Sequence, residues 1–379
     1  MRLWRAVVAV SLALLTALVC GLAGASATAA TAPPAPPGTL TGIAQLPAAQ
    51  WPTGAAMGIR VTYTSTGVGG VPTTVTGRVF LPSFTAPAGG FPVLSYTHPT
   101  TGLGDSCAPS VNPLDPEEGT VLGDWLQQGY AVVATDYAGL GGPGVHPYLD
   151  GSVEAYGAID IVRAMRRLAP GLFAARWAVA GLSQGGHAAM FTANLAAQYA
   201  PELDFRGAVA AAPPSGLTPI FSRLTPQTTI LPGLTPLLAY ILAGIEAANP
   251  SFDLNSYLSP LGTSLVTDAQ TLCLDAMVAR TQGIAMGQLL GKPLDSQFGQ
   301  VMGPIFDVPT TGYPRPVFIA QSVTDEVVPE FLTNQLVSSL QAAGQPVTYQ
   351  TYPSATHSQT ELVSMPDAIA FLRPLLATP

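Results

Sequence analysis

Two periods alternate along this chain, and their order predicts its architecture. Gly58 to Thr64 and Thr73 to Leu81 switch between apolar and polar residues, with turn-forming residues from Gly67 to Pro72 between them. That pattern predicts an antiparallel hairpin near the N-terminus. Six later runs are short and mostly apolar instead: Phe91 to Tyr96, Tyr130 to Thr135, Trp177 to Gly181, Gly207 to Ala212, Pro316 to Ala320 and Pro346 to Tyr352. Such runs, separated by helical stretches, predict a mostly parallel central sheet with crossover helices. Val153 to Leu168 repeats apolar residues at helical spacing and Gly186 to Tyr199 is dense in alanine, so both predict helices.

Between the runs at 207–212 and 316–320 the alternation stops. Residues 216–308 hold several helical segments separated by prolines, which reads as a helical cap or lid insertion dividing an α/β core into residues 51–215 and 309–379. Leu234 to Ile245 is apolar nearly all round, which suits a helix buried inside the cap as well as one lying over an apolar pocket. Residues 28–50, with Ala-Pro-Pro-Ala-Pro-Pro at 32–37, read as a flexible lead-in, so the first strands are expected after it.

Composition adds a compartment. Arg2 and Arg5, an apolar stretch from Ala6 to Val19 and the small residues Ala25-Ser26-Ala27 have the layout of a cleavable secretory signal, residues 1–27. The stretch is short of the about 20 residues that span a bilayer, and Val19 before Cys20 does not suit a lipid anchor. The mature protein is therefore expected outside the cell, with no integral membrane segment. Losing Arg2 and Arg5, and no acid, moves the formal charge from −8 to −10, which argues against nucleic acid and anionic membrane surfaces as partners. Only 9% of residues are charged and 48% are hydrophobic, and the remaining length of about 350 residues suits one α/β core with an insertion. Cys107 and Cys273 remain once Cys20 is removed, and two thiols in an oxidising compartment more often pair than stay free. The bridge would restrict the unfolded chain by roughly 4 to 5 kcal/mol. Two unclustered cysteines argue against structural zinc.

The candidate chemistry starts at Gly181-Leu-Ser-Gln-Gly185. A Gly-x-Ser-x-Gly string alone is weak in a chain with 39 glycines, but here a strand-like run precedes it and a helical run follows. That context is a nucleophile elbow: Ser183 stands on a tight turn, and Gly181 and Gly185 leave room where a side chain would collide. The amide of Gln184, at the helix N-terminus, can meet a developing oxyanion. A serine hydroxyl needs a base, itself oriented by a carboxylate. Of the four histidines, His98 follows an early strand, His146 lies in a Gly-rich loop, and His187 sits one helical turn beyond the serine, where it would brace the elbow. His357, on a loop after the last strand, fits best. For the acid, Asp325 follows the preceding strand, with Glu326 as its neighbour and rival and an N-cap role as the structural alternative. Asp136, Asp150 and Asp160 precede the serine and are assigned to turns, caps or ion pairs. A second oxyanion donor is expected in His98-Pro-Thr-Thr-Gly102, with Thr100 ahead of Thr101.

Together these strings resemble the secretory lipase family, the lipase-A-like α/β-hydrolases of yeasts and actinomycetes. The resemblance is carried by Ser95 to Ser110, Ala134 to Gly141 (Ala-Thr-Asp-Tyr-Ala-Gly-Leu-Gly), Gly181 to Ala188, and the loops of Asp325 and His357. It implies an α/β-hydrolase fold, a Ser183, Asp325, His357 triad, a cap between the sixth and seventh core strands, and hydrolysis of acyl esters. It also favours the Cys107 to Cys273 bridge. Where the family has His-Gly-Thr-Thr-Gly this chain has Pro99, which lacks an N–H and fixes φ, so the oxyanion loop is expected to differ locally. The expected activity is that of a serine carboxylic-ester hydrolase, a lipase or esterase needing no cofactor or metal, acting on small or lipid esters and meeting lipid interfaces transiently. The alternatives are a serine peptidase or acyltransferase on the same fold, and a non-catalytic binding protein that keeps the fold.

Overall fold

The alternating and the apolar segments enter one twisted sheet in a computed structural model that describes residues 34–229 and 232–377. The signal-like residues 1–27 lie outside the described residues. Among those described, nine strands appear: β1 (Leu40–Gln45), β2 (Ala55–Thr66), β3 (Pro72–Pro82), β4 (Phe91–Thr97), β5 (Ala131–Thr135), β6 (Phe173–Leu182), β7 (Asp204–Ala211), β8 (Val317–Ser322) and β9 (Val347–Tyr352). Their spatial order is β1-β2-β3-β5-β4-β6-β7-β8-β9. Neighbours from β1 to β5 are antiparallel, and from β5 to β9 every pairing is parallel. The predicted hairpin is β2 and β3, the fold is the α/β-hydrolase fold, and the sheet is mostly parallel.

The apolar runs need no polar face because helices cover both sides. Successive strand residues point to opposite faces. Val93, Val179, Ala210 and Ile319 therefore join one cluster with α2 (Gly151–Leu168), α3 (Gln184–Tyr199) and α9 (Glu330–Ala342). Leu94, Ala178, Val209 and Phe318 join the other, with α1 (Pro116–Gln127) and α10 (Gln359–Leu376). Each fully buried large apolar side chain contributes about 1.5–3 kcal/mol. Local chemistry sets the helix starts: Asp115 accepts the amides of Glu117 and Glu118 ahead of α1, and Asp150 accepts that of Val153 in α2. Asp160 pairs with Arg163, and Asp136 accepts from Thr76 Oγ1 and the Ser110 amide, so these three acids are used structurally.

Two expectations are corrected. The segment 28–50, read as a flexible lead-in, contains β1, whose Ile43 and Ala44 pair with Val61 and Arg60 of β2. An edge strand takes its hydrogen bonds from a neighbour, so it forms without an apolar run of its own, and the Pro-Ala tract has ended by Pro37. The extra strand also moves the helical insertion, expected between the sixth and seventh strands, to between β7 and β8. Second, α3 begins at Gln184 rather than at Gly186, directly after the serine.

Between β7 and β8 run α4 (Thr218–Phe221), α5 (Thr235–Ala248), α6 (Pro260–Ala269), α7 (Leu274–Arg280) and α8 (Ser296–Phe306). They have their own apolar cluster, in which Leu238 and Leu242 of α5 meet Phe298, Met302 and Phe306 of α8. The apolar α5 is thus buried along most of its length. Cys107 and Cys273 form a disulfide with Cα atoms 5.3 Å apart, joining the segment after β4 to the start of α7. No helix among the described residues is long and apolar enough to cross a membrane.

Candidate active site

Ser183 sits between β6 and α3 with φ 57°, a left-handed conformation that L-residues adopt only under constraint. The constraint comes from both sides. Its amide donates to Ala211 O and its carbonyl accepts from the His187 amide, each at 2.9 Å. The two glycines are required by contact: a Cβ on Gly181 would lie 2.3 Å from Thr97 O, and one on Gly185 1.8 Å from the same atom. Strand β4 passes that close because Thr97 Oγ1 donates towards Ala180 O and Gly185 O, at 3.0 and 2.8 Å. As the first residue of α3, Gln184 has no intrahelical acceptor for its amide.

Thirty-two residues separate Asp325 from His357 in the chain, yet His357 Nδ1–H donates to Asp325 Oδ2 at 2.8 Å. The carboxylate is fully buried and well held. Oδ1 accepts the amides of Val327 and Val328 at 2.9 and 2.8 Å, and Oδ2 also accepts from Gln321 Nε2 at 3.1 Å. Burial pushes the Asp325 carboxyl up, but the His357 hydrogen bond and charge and the two amides outweigh it and hold it below the ordinary value. Glu326, the rival, is exposed.

Ser183 and His357 line the same cavity, about 680 Å³, with Thr100 and Leu182 from the core and Leu237 and Val278 from the insertion. The other histidines are held by main-chain carbonyls. His98 Nδ1–H donates to Pro99 O, His146 Nδ1–H to Ala138 O, and His187 Nε2–H to Phe306 O, at 2.7, 2.8 and 2.9 Å. The Thr100 hydroxyl hydrogen-bonds Tyr148 Oη at 2.7 Å, and the carbonyl of Thr101 accepts the amide of Leu274 at 2.9 Å. Gly102 forms a bridge with Cys273, so this loop is tied to the insertion by backbone as well as by sulfur.

Sequence reasoning missed three residues. Gln321, directly after the apolar run of β8, braces Asp325 and accepts from Thr333 Oγ1 at 2.7 Å. Glu361, on α10, lines the cavity and accepts from the Tyr96 hydroxyl at 3.1 Å. Burial, aided by the charge of Glu118 and opposed by the Tyr96 hydrogen bond, pushes its carboxyl up to about 8. Glu154, on α2, is fully buried behind the elbow. Their signal was a polar residue on an otherwise apolar face, which gives no partner by itself.

An activatable serine, an imidazole bonded to a carboxylate and a free helix-terminal amide are together the set that nucleophilic acyl transfer needs. Comparison with known proteins agrees in kind. Residues 116–377 match the family described as secretory lipase. A Mycobacterium tuberculosis protein named a probable inactive lipase is 28% identical over 280 residues, 70% of this chain and 59% of its own. Lipase A of Moesziomyces aphidis is 25% identical over 296 residues, 70% of this chain and 61% of its own. The matches thus span about three fifths of those relatives' length. Among solved structures, lipase A of Candida antarctica superposes with a TM-score of 0.73 at 20% identity, covering 91% of this chain and 83% of that one. A rice cell wall degrading esterase of Xanthomonas oryzae gives 0.72 at 21%, covering 90% and 98%.

Proposed function

The chain belongs to the secretory lipase family, and we propose on that footing that it is a serine carboxylic-ester hydrolase working through an acyl-enzyme. The observation that carries the reading is one cavity lined by a serine at φ 57° and by a histidine bonded to a buried aspartate. Ser183 Oγ attacks the ester carbonyl while His357 takes its proton, and Asp325 holds the imidazole through Nδ1. The amides of Gln184 and Thr100 receive the oxyanion, each worth about 2.7–4 kcal/mol in such sites. The alcohol leaves with the proton from His357, and water repeats the sequence to release the acid. The insertion acts as the cap, and its Leu237 and Val278 make the cavity suit apolar acyl groups.

Hydrolysis of p-nitrophenyl esters, from acetyl to palmitoyl, by the protein and by Ser183→Ala tests this. The variant should lose at least about 1,000-fold in kcat; equal activity in both would discard the mechanism. A second reading, a non-catalytic member of the fold, is favoured by the name of the mycobacterial relative. It predicts no hydrolysis and no labelling of Ser183 by a fluorophosphonate, whereas the leading reading predicts both.

A further inference from the structure

Behind the elbow, one carboxylate gathers three groups from two segments. Glu154 Oε1 accepts the Leu149 amide at 3.1 Å and Gln184 Nε2–H at 2.8 Å, and Oε2 faces His187 Nδ1 at 3.5 Å. Gln184 Nε2 also reaches His146 Nε2 at 2.8 Å. The proton positions follow by elimination. Ala138 O can only accept, so His146 carries its proton on Nδ1 and presents a lone pair at Nε2. The two hydrogens of Gln184 Nε2 are then both used, one on His146 and one on Glu154, which leaves this side chain a single orientation.

Gln184 is the residue whose main-chain amide faces the developing charge in the proposed reaction. We propose that Glu154 is a positioning residue for that amide: by clamping the Gln184 side chain, it fixes the first turn of α3 beneath the oxyanion. The inference rests on the ester-hydrolase reading. An ion buried to 0% exposure is costly, and an apolar side chain of similar shape would often serve stability as well or better. What an apolar residue would not provide is an acceptor for Gln184 Nε2. Burial pushes the Glu154 carboxyl up, but the hydrogen bonds it accepts outweigh this and hold it below the ordinary value, so it stays an acceptor through the neutral range. His187 Nε2–H ends on Phe306 O, the last residue of α8, so the first turn of α3 is also tied to the insertion.

The test compares Glu154→Leu, Glu154→Gln and Gln184→Met, each checked for folding by thermal melting, on a soluble p-nitrophenyl ester. Misplacing one oxyanion donor predicts a kcat about 10- to 100-fold lower in Glu154→Leu and Gln184→Met, with KM within about twofold. Glu154→Gln keeps an oxygen for Gln184 and should stay within about threefold of the parent kcat. The double variant Glu154→Leu/Gln184→Met should be no slower than the slower single one, because both remove one clamp. Full kcat in folded Gln184→Met, or losses that multiply in the double variant, would overturn the proposal. Gln184→Met decides the matter if Glu154→Leu does not fold. A parent protein that neither hydrolyses esters nor takes the fluorophosphonate would instead be a failure of the underlying reading.

Discussion

At the scale of single residues, two carboxyls in the candidate site are displaced in opposite directions for the same initial reason. Both are buried, but Asp325 has the imidazole of His357 and two amides as partners, whereas Glu361 has a tyrosine hydroxyl and a second acid nearby. The signs of their stability contributions therefore differ. Asp325, held low, favours the fold above its unfolded value and loses that contribution as pH falls through the lowered value. Glu361, raised to about 8, favours the fold below its unfolded value of about 4.3 and loses that contribution as pH rises towards 8. We expect the Tm of the parent protein to fall more steeply between pH 5 and pH 9 than that of Glu361→Gln, which has no proton to lose. Parallel decline of the two melting curves would mean that Glu361 is already ionised at pH 5.

At the scale of elements, the loop after β4 is held from outside the core. Thr101 and Gly102 bond the chain around Cys273 and Leu274, and the disulfide closes the same junction. The bridge spans 166 residues, for which loop closure in the unfolded chain is worth about 5 kcal/mol. Replacing both cysteines, as Cys107→Ser with Cys273→Ser, should lower Tm by roughly 5–10 °C. Because Thr100 lies in the tied loop, kcat should fall as well; calorimetry with ester assays below the new Tm would separate the two effects. Unchanged values in both would show that the backbone bonds suffice. The sequence pointed to this loop through its neighbourhood to an early strand, and two cysteines predicted the bond. Their meeting point at Gly102 was not legible, since it needs two segments far apart in the chain to lie side by side.

At the scale of the whole molecule, a secreted protein is the reading that joins the signal-like residues 1–27, the family and the disulfide. We expect the intact mass of protein collected from the culture medium to begin at Thr28; protein retained in the cell with Met1 in place would refute it. The chain itself determined the sheet, because runs such as Trp177 to Gly181 are apolar at every position and must be covered on both faces. It also determined the elbow, since a glycine-flanked serine between a strand and a helix is a local pattern. β1 escaped because an edge strand borrows its hydrogen bonds from a neighbour. Only the tertiary structure decided that His357 lies 2.8 Å from Asp325, that Gln321 braces the pair, and that Glu154 clamps Gln184. Those contacts join segments from different parts of the chain, and their energy depends on burial and distance, which no local pattern of residues encodes.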